Sequence, residues 1–260
     1  MDYRPFMKQI PNLITLLNLV FGCLAIIFIL QTGQSIVYIE REGYTSWDLP
    51  EKITWGCLFI FAAAIIDFVD GFIARLMKVN SAMGEQLDSL ADMVSFGVAP
   101  GLIMYQLLRL SFAREEGGLD TSIAWLLPAL LIPCAAAWRL AKFNIDARQE
   151  LSFRGLPTPA NGLVIACLPL IIFYQQFGLE EIMLNKWVLY LLIVLLSGLM
   201  ISNIPLMGMK FKNFSLKENL PRYLLITLSI LAIVLLKWAA APVILLLYVL
   251  VSLVTKNKLA

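Results

Sequence analysis

Asp67, Asp70, Asp88 and Asp92 fall within 26 residues, in one of the most apolar parts of the chain. They form D-x2-D-G-x2-A-R-x8-G-x3-D-x3-D, running from Asp67 through Gly71, Ala74, Arg75 and Gly84 to Asp92. A carboxylate at the centre of a membrane helix costs about 2.5–3.5 kcal/mol on insertion scales. Four bare, central ones would cost on the order of 10 kcal/mol, so a compensating positive charge is required. Oxygen-rich clusters without histidine or nearby cysteine suit hard cations such as Mg2+ or Mn2+. Two such ions about 4 Å apart neutralise a diphosphate and orient in-line displacement at phosphorus. A carboxylate at the edge of that pair can take a proton from an attacking hydroxyl.

The elements that must position these groups are membrane helices. Asp67 and Asp70 are three residues apart, with Gly71 and Ala74 continuing their helical face, and Asp88 and Asp92 are four apart. The link between the two segments, about 77–83, is short, so the reading is of antiparallel neighbours whose carboxylate faces converge. Gly71, Ala74 and Gly84 remove bulk where a ligand approaches; plain small-residue helix packing gives the same pattern. Arg75 is placed to pair with an aspartate, snorkel to the interface or bind a phosphate. Ser81 is placed to cap a helix or bond a phosphate oxygen.

The class follows from composition: 60% of 260 residues are apolar and 15% charged, with a mean hydropathy of +0.82. This is an all-α, polytopic membrane chain in one domain spanning 1–260. Eight spans are expected, at about 11–31, 53–77, 84–108, 122–143, 159–178, 186–204, 221–237 and 239–255. The first is read as a retained helix rather than a cleaved leader. With the N-terminus inside, 14 of the 20 basic residues fall in inside segments, which places both termini and the aspartates on the cytoplasmic side of a cell (inner) membrane. The four cysteines lie in different spans and suggest neither disulfide nor zinc site. Without histidine, acid–base work falls to carboxylates, Lys, Tyr or Cys. No basic tail or aromatic platform argues for nucleic acid. The rival class, a cation transporter, predicts ionisable groups spread through the membrane depth; here they crowd one side.

The stretch from Asp67 to Asp92 matches every fixed position of the signature of the CDP-alcohol phosphatidyltransferases, and the chain resembles that family. The resemblance implies that Asp67, Asp70 and Asp88 ligate two divalent cations, Mg2+ or Mn2+, and that Asp92 is both ligand and general base. It also implies that Gly71, Arg75 and Ser81, with the small Ala74 and Gly84 beside them, meet the CDP-linked lipid. Pro11-Asn12-Leu13-Ile14-Thr15 is similar to the family's Pro-Asn-x-x-Thr opening, which places Asn12 and Thr15 near the nucleotide; alone, they read equally as a helix start and a polar helix contact.

Three further blocks, D-S-L-A-D-M-V-S-F-G-V-A-P from Asp88, R-L-A-K-F-N from Arg139 and F-R-G-L-P-T-P from Phe153, resemble the membrane-integral phosphatidylserine synthase branch. The resemblance covers roughly 8–210, leaving 221–255 as accessory helices. It implies CDP-diacylglycerol and L-serine as substrates, phosphatidylserine and CMP as products, and a homodimer. For the acceptor, Arg139 and Arg154 suit a carboxylate and Asn144 an amino or carboxylate group; positive-inside anchoring is the other reading of the basic residues. Glycerol 3-phosphate or an inositol phosphate would keep the chemistry and change the alcohol, but would call for more basic groups.

Overall fold

A computed structural model describes residues 9–31, 37–39, 45–47, 51–77, 81–115, 117–145, 153–208 and 216–259. The helices are α1 (Ile10–Leu30), α2 (Glu51–Met77), α3 (Ala82–Asp92), α4 (Ala99–Ala113), α5 (Leu131–Ile145), α6 (Thr158–Phe173), α7 (Lys186–Ile201), α8 (Leu216–Leu236) and α9 (Ala240–Leu259). A short helical turn at Glu180–Met183 and two minimal antiparallel pairings lie among the described residues: β1 (Val37–Ile39) with β2 (Thr45–Trp47), and β3 (Phe153–Arg154) with β4 (Pro205–Leu206).

Four stretches are long and apolar enough to cross a bilayer: Ile10–Leu30, Lys52–Met77, Ala82–Ala113 and Asn219–Thr255. The last contains α8 and α9, which pack on each other after the chain turns at Lys237, φ +50°. Helix α2 shows what the surroundings are. It buries Ala63 and Asp70 while exposing Ile65, Phe68, Phe72 and Leu76. That inversion is stable only when the outer face meets lipid. The chain is therefore a helical membrane protein.

Each expected span contains a helix, and three are cut short by several residues at one edge for local reasons. The span expected at 122–143 opens with two 3-10 turns, Ile123–Trp125 and Leu127–Leu130, before α5. Pro128 sits in the second turn, where it lacks the N–H that would continue a helix. The span expected at 159–178 ends at Phe173, because Gln175 and Phe177 take left-handed φ of +47° and +56°. The span expected at 186–204 ends at Ile201, after which Ser202 turns extended.

Of the long stretches, Ala82–Ala113 is buried over 67% of its apolar window and the others over 17–28%, so it is the central helix. Helices α1, α5 and α6 all pack on it, and α1 also lies along α2. The stretch is not uniform: Met93–Val98 forms a π-helical segment between α3 and α4. Pro100 explains it, since it cannot donate to the carbonyl four residues back and its ring crowds that turn. A wider turn relieves both, and such segments recur at functional sites. This one begins directly after Asp92.

Candidate active site

The aspartates arrive from two helices, α2 and α3, with α1 packed along both. Oxygens of Asp67, Asp70 and Asp88 lie within 4.8 Å of one another. Asp67 also comes within hydrogen-bonding reach of Asp92. Asp70 and Asp92 are 5% and 8% exposed. Two like charges about 4 Å apart repel by roughly 4 kcal/mol at an effective dielectric near 20, and the described residues supply no ion pair to any of the four. Asp70 Oδ2 is buried without a hydrogen-bond partner. A hard divalent cation fits this set: all-oxygen donors, converging, with one of them otherwise orphaned.

Helix α1 lines the site with a polar stripe in an otherwise apolar sequence. Thr15 Oγ1 donates to Pro11 O at 3.1 Å and lies beside the Asp70 carboxylate. One turn on, fully buried Asn18 donates from Nδ2 to Asp92 Oδ1 at 3.4 Å. Ser95 Oγ, in the π-helical segment, donates to Asn18 Oδ1 at 2.8 Å. The contact requires Gly22, because a Cβ there would collide with Ser95 Oγ. Thus the chain Ser95–Asn18–Asp92 fixes one aspartate through a close crossing of α1 and the central helix.

The residues expected near a nucleotide gather at the open end. Ser81 caps α3, its Oγ accepting from Gly84 N at 3.0 Å. A Cβ on Gly84 would stand 3.0 Å from both Asn12 Oδ1 and Ser81 Oγ, so Asn12, Ser81 and Gly84 are mutual neighbours. A Cβ on Gly71 would meet nothing within 4 Å, which leaves room beside Asp70. Ala74 is half-buried one turn further along α2, and Arg75 is exposed, its Nε donating to Gly71 O at 2.9 Å.

Of the expected acceptor residues, Arg139 and Asn144 have different partners. Arg139 is half-buried; its Nη1 donates to Thr158 Oγ1 at 2.6 Å, and its charge acts on Asp92. Asn144 is exposed and donates to Ser89 Oγ at 3.0 Å and Gln86 Oε1 at 3.5 Å, which ties α5 to α3 one residue past Asp88. Only the backbone of Arg154 is described, paired with Pro205; its side chain lies outside the described residues. Lys142 is occupied by Asn203 Oδ1 at 2.6 Å. Sequence reasoning missed Asn18, Ser95 and Asn161 as candidates. For Asn18 the signal was present: it follows Asn12 and Thr15 at three-residue spacing on one helical face.

The family model for CDP-alcohol phosphatidyltransferases matches residues 8–201. The chain is similar to the CDP-diacylglycerol–serine O-phosphatidyltransferase of Bacillus subtilis, 33% identical over 187 residues, covering 69% of this chain and 89% of that protein. It is also similar to the protein of the same name from Helicobacter pylori, 35% identical over 181 residues, covering 67% and 68%. A third such relative, from Mycobacterium leprae, is 36% identical over 157 residues, covering 58% and 48%.

Proposed function

The chain belongs to the CDP-alcohol phosphatidyltransferase family, and from that premise we propose that it transfers the phosphatidyl group of CDP-diacylglycerol to L-serine, giving phosphatidylserine and CMP. The observation that carries the reading is the meeting of Asp67, Asp70 and Asp88 within 4.8 Å at one end of a membrane bundle. Relatives named for serine transfer supply the acceptor.

In this reading Asp67, Asp70 and Asp88 would hold two divalent cations, Mg2+ or Mn2+, and Asp92 would be a further ligand, completing the donor set of the second ion. Bound there, the ions supply charge neutralisation for the pyrophosphate and for departing CMP. Asn12, Thr15, Ser81, Gly84, Gly71, Ala74 and Arg75 border the nucleotide side. Asp92, held by Asn18, takes the proton of the serine hydroxyl, whose oxygen attacks the phosphorus bearing diacylglycerol. CMP leaves, and a single displacement inverts that phosphorus. Arg139, with Asn144 and Arg154 near it in sequence, serves the acceptor side.

The orientation belongs to the same proposal. Eight spans with both termini cytoplasmic put the aspartate end in the cytoplasm at the inner membrane, where a soluble nucleotide is released. The excess of basic residues in those segments supports it, and the family resemblance supports a homodimer. The test is CMP release from CDP-diacylglycerol by purified protein with Mg2+ or Mn2+ and a panel of acceptors. Serine should be required; release only with glycerol 3-phosphate or an inositol phosphate would reassign the acceptor. In a background without the native cysteines, an impermeant thiol reagent should label a cysteine at Asp120 in intact cells and spare one at Val79. The reverse pattern would invert the topology.

A further inference from the structure

Three buried polar atoms near the aspartates have no hydrogen-bond partner: Arg139 Nε, Asn161 Nδ2 and Asn161 Oδ1. Asn161 is fully buried, and an interior amide with neither end satisfied is costly to the fold. The two side chains belong to one locus. Thr158, which accepts from Arg139 at 2.6 Å, lies three residues before Asn161 on the same face of α6. Arg139 in turn acts on Asp92. Next to Asn161, Gly162 presses α6 onto the π-helical segment, where a Cβ would stand 3.1 Å from Phe96 Cα.

We propose that Arg139 and Asn161 together recognise the charged head of an α-amino acid acceptor. Arg139 Nε and Asn161 Nδ2 donate to its carboxylate, and Asn161 Oδ1 accepts from its ammonium. The inference rests on the serine-transfer reading and adds to it a residue that the sequence patterns did not single out. The orphaned set, two donors and one acceptor, is the complement of a zwitterion. A phosphorylated alcohol would satisfy the donors and leave the acceptor empty. The placement also fits the chemistry. A head group fixed at Arg139 holds its hydroxyl toward Asp92, the group proposed to take the proton. Among the described residues, the other unpartnered buried atoms away from the aspartates, Gln106 Oε1 and Ser197 Oγ, are single atoms.

The experiment compares wild type, Asn161→Leu and Asn161→Asp in CMP release, with L-serine, serinol (no carboxylate) and 3-hydroxypropanoate (no ammonium) as acceptors. Asn161→Leu should raise the serine KM about ten- to a hundredfold, the range for losing hydrogen bonds to charged groups, while the CDP-diacylglycerol KM stays unchanged. It should also narrow the preference for serine over both analogues. Asn161→Asp keeps the shape and an acceptor but turns the donor into a negative charge. It should lose serine and 3-hydroxypropanoate while keeping serinol. An unchanged serine KM in Asn161→Leu would mean that the amide holds only interior water. If the leucine variant does not fold, an unaltered serine-to-serinol ratio in Asn161→Asp overturns the proposal equally. Wild type that uses a different acceptor instead of serine would sink the transfer reading itself, and this site with it.

Discussion

The two ends of the bundle treat their polar side chains in opposite ways. At the end where α4 stops and α7 starts, several polar side chains have partners within the chain. Lys186 Nζ meets Glu115 Oε2 at 2.6 Å and lies 5.1 Å over the Phe112 ring. Tyr190 OH donates to Trp125 O at 2.6 Å, and Asn185 caps α7 by accepting from Trp187 N at 2.9 Å. At the aspartate end, Asp70 Oδ2, Arg139 Nε and both amide atoms of Asn161 are buried and unpaired. The paired end even holds a cavity of about 480 Å³, lined by Arg114, Glu115, Glu181, Lys186 and Trp187. Volume is therefore a poorer guide here than unmet hydrogen bonds. In a membrane bundle a polar group left unpaired is expensive. An end that keeps several must be completed by something it binds.

The strongest way to break this comparison is to remove the carboxylates. Asp92→Asn should lower turnover by about 10²–10⁴-fold, the usual range for a general base, while much of the CDP-diacylglycerol binding remains. Asp88→Asn, and chelation of divalent ions, should lose both binding and turnover. Steady-state CMP release together with a lipid-nucleotide binding measurement separates the two outcomes. An Asp92→Asn enzyme keeping a tenth of the wild-type rate would remove Asp92 from the role of base.

The next effect sharpens the division within the aspartate end. Arg139→Ala should raise the serine KM by about ten- to a hundredfold, for a lost charge-assisted contact of roughly 1.5–3 kcal/mol, and leave the CDP-diacylglycerol KM nearly alone. Arg75→Ala should do the reverse, because Arg75 lies exposed at the nucleotide side of α2. Equal shifts in both constants for either variant would erase the donor–acceptor separation.

A smaller loss is expected at the crossing of α1 with the central helix. Gly22→Ala places a Cβ against Ser95 Oγ, and overpacking of this kind costs about 1–3 kcal/mol. Thermal unfolding in detergent should show it, with reduced turnover because Ser95 anchors Asn18 and Asn18 holds Asp92. Adding Ser95→Ala should return part of the stability without restoring the rate. If Gly22→Ala changed neither quantity, the Ser95–Asn18–Asp92 chain would be incidental to the site.

How much of this was legible in the sequence depends on whether the residues act locally. Asp67 and Asp70, and Asp88 and Asp92, share faces by helical spacing alone, so the convergence of the first three was readable and the geometry agrees. Most helix cores were readable from hydropathy. Their ends were not, because α6 stops through left-handed residues at Gln175 and Phe177, neither of them glycine. The π-helical segment was hidden for a similar reason: Pro100 marked a disturbance but not its form. Asn161 was invisible as a candidate because its interest lies in Arg139, which approaches the same face of its helix from α5. Nothing in local spacing announces a contact between helices. Asn144, to which a motif pointed, also makes such a contact, from α5 to Ser89 in α3.

The smallest expected effect lies at the paired end, and its smallness is the point. Lys186 and Glu115 form a short ion pair, but the glutamate side chain is nearly half exposed at 47% and the lysine 24%. Pairs open to solvent contribute about 0–1 kcal/mol, since water screens the attraction and ordering two flexible side chains costs entropy. The aromatic face of Phe112 adds a contact of about 0.5–1 kcal/mol at an exposed site. Lys186→Ala and Glu115→Ala, alone and together, should therefore shift unfolding slightly, with a coupling energy below about 1 kcal/mol. Turnover and both KM values should match wild type. A large loss of activity in either variant would show that this end communicates with the aspartates through α4 and the central helix. The contrast between a closed end and a binding end would then fail, because groups satisfied by the chain itself would be setting the chemistry at the other face.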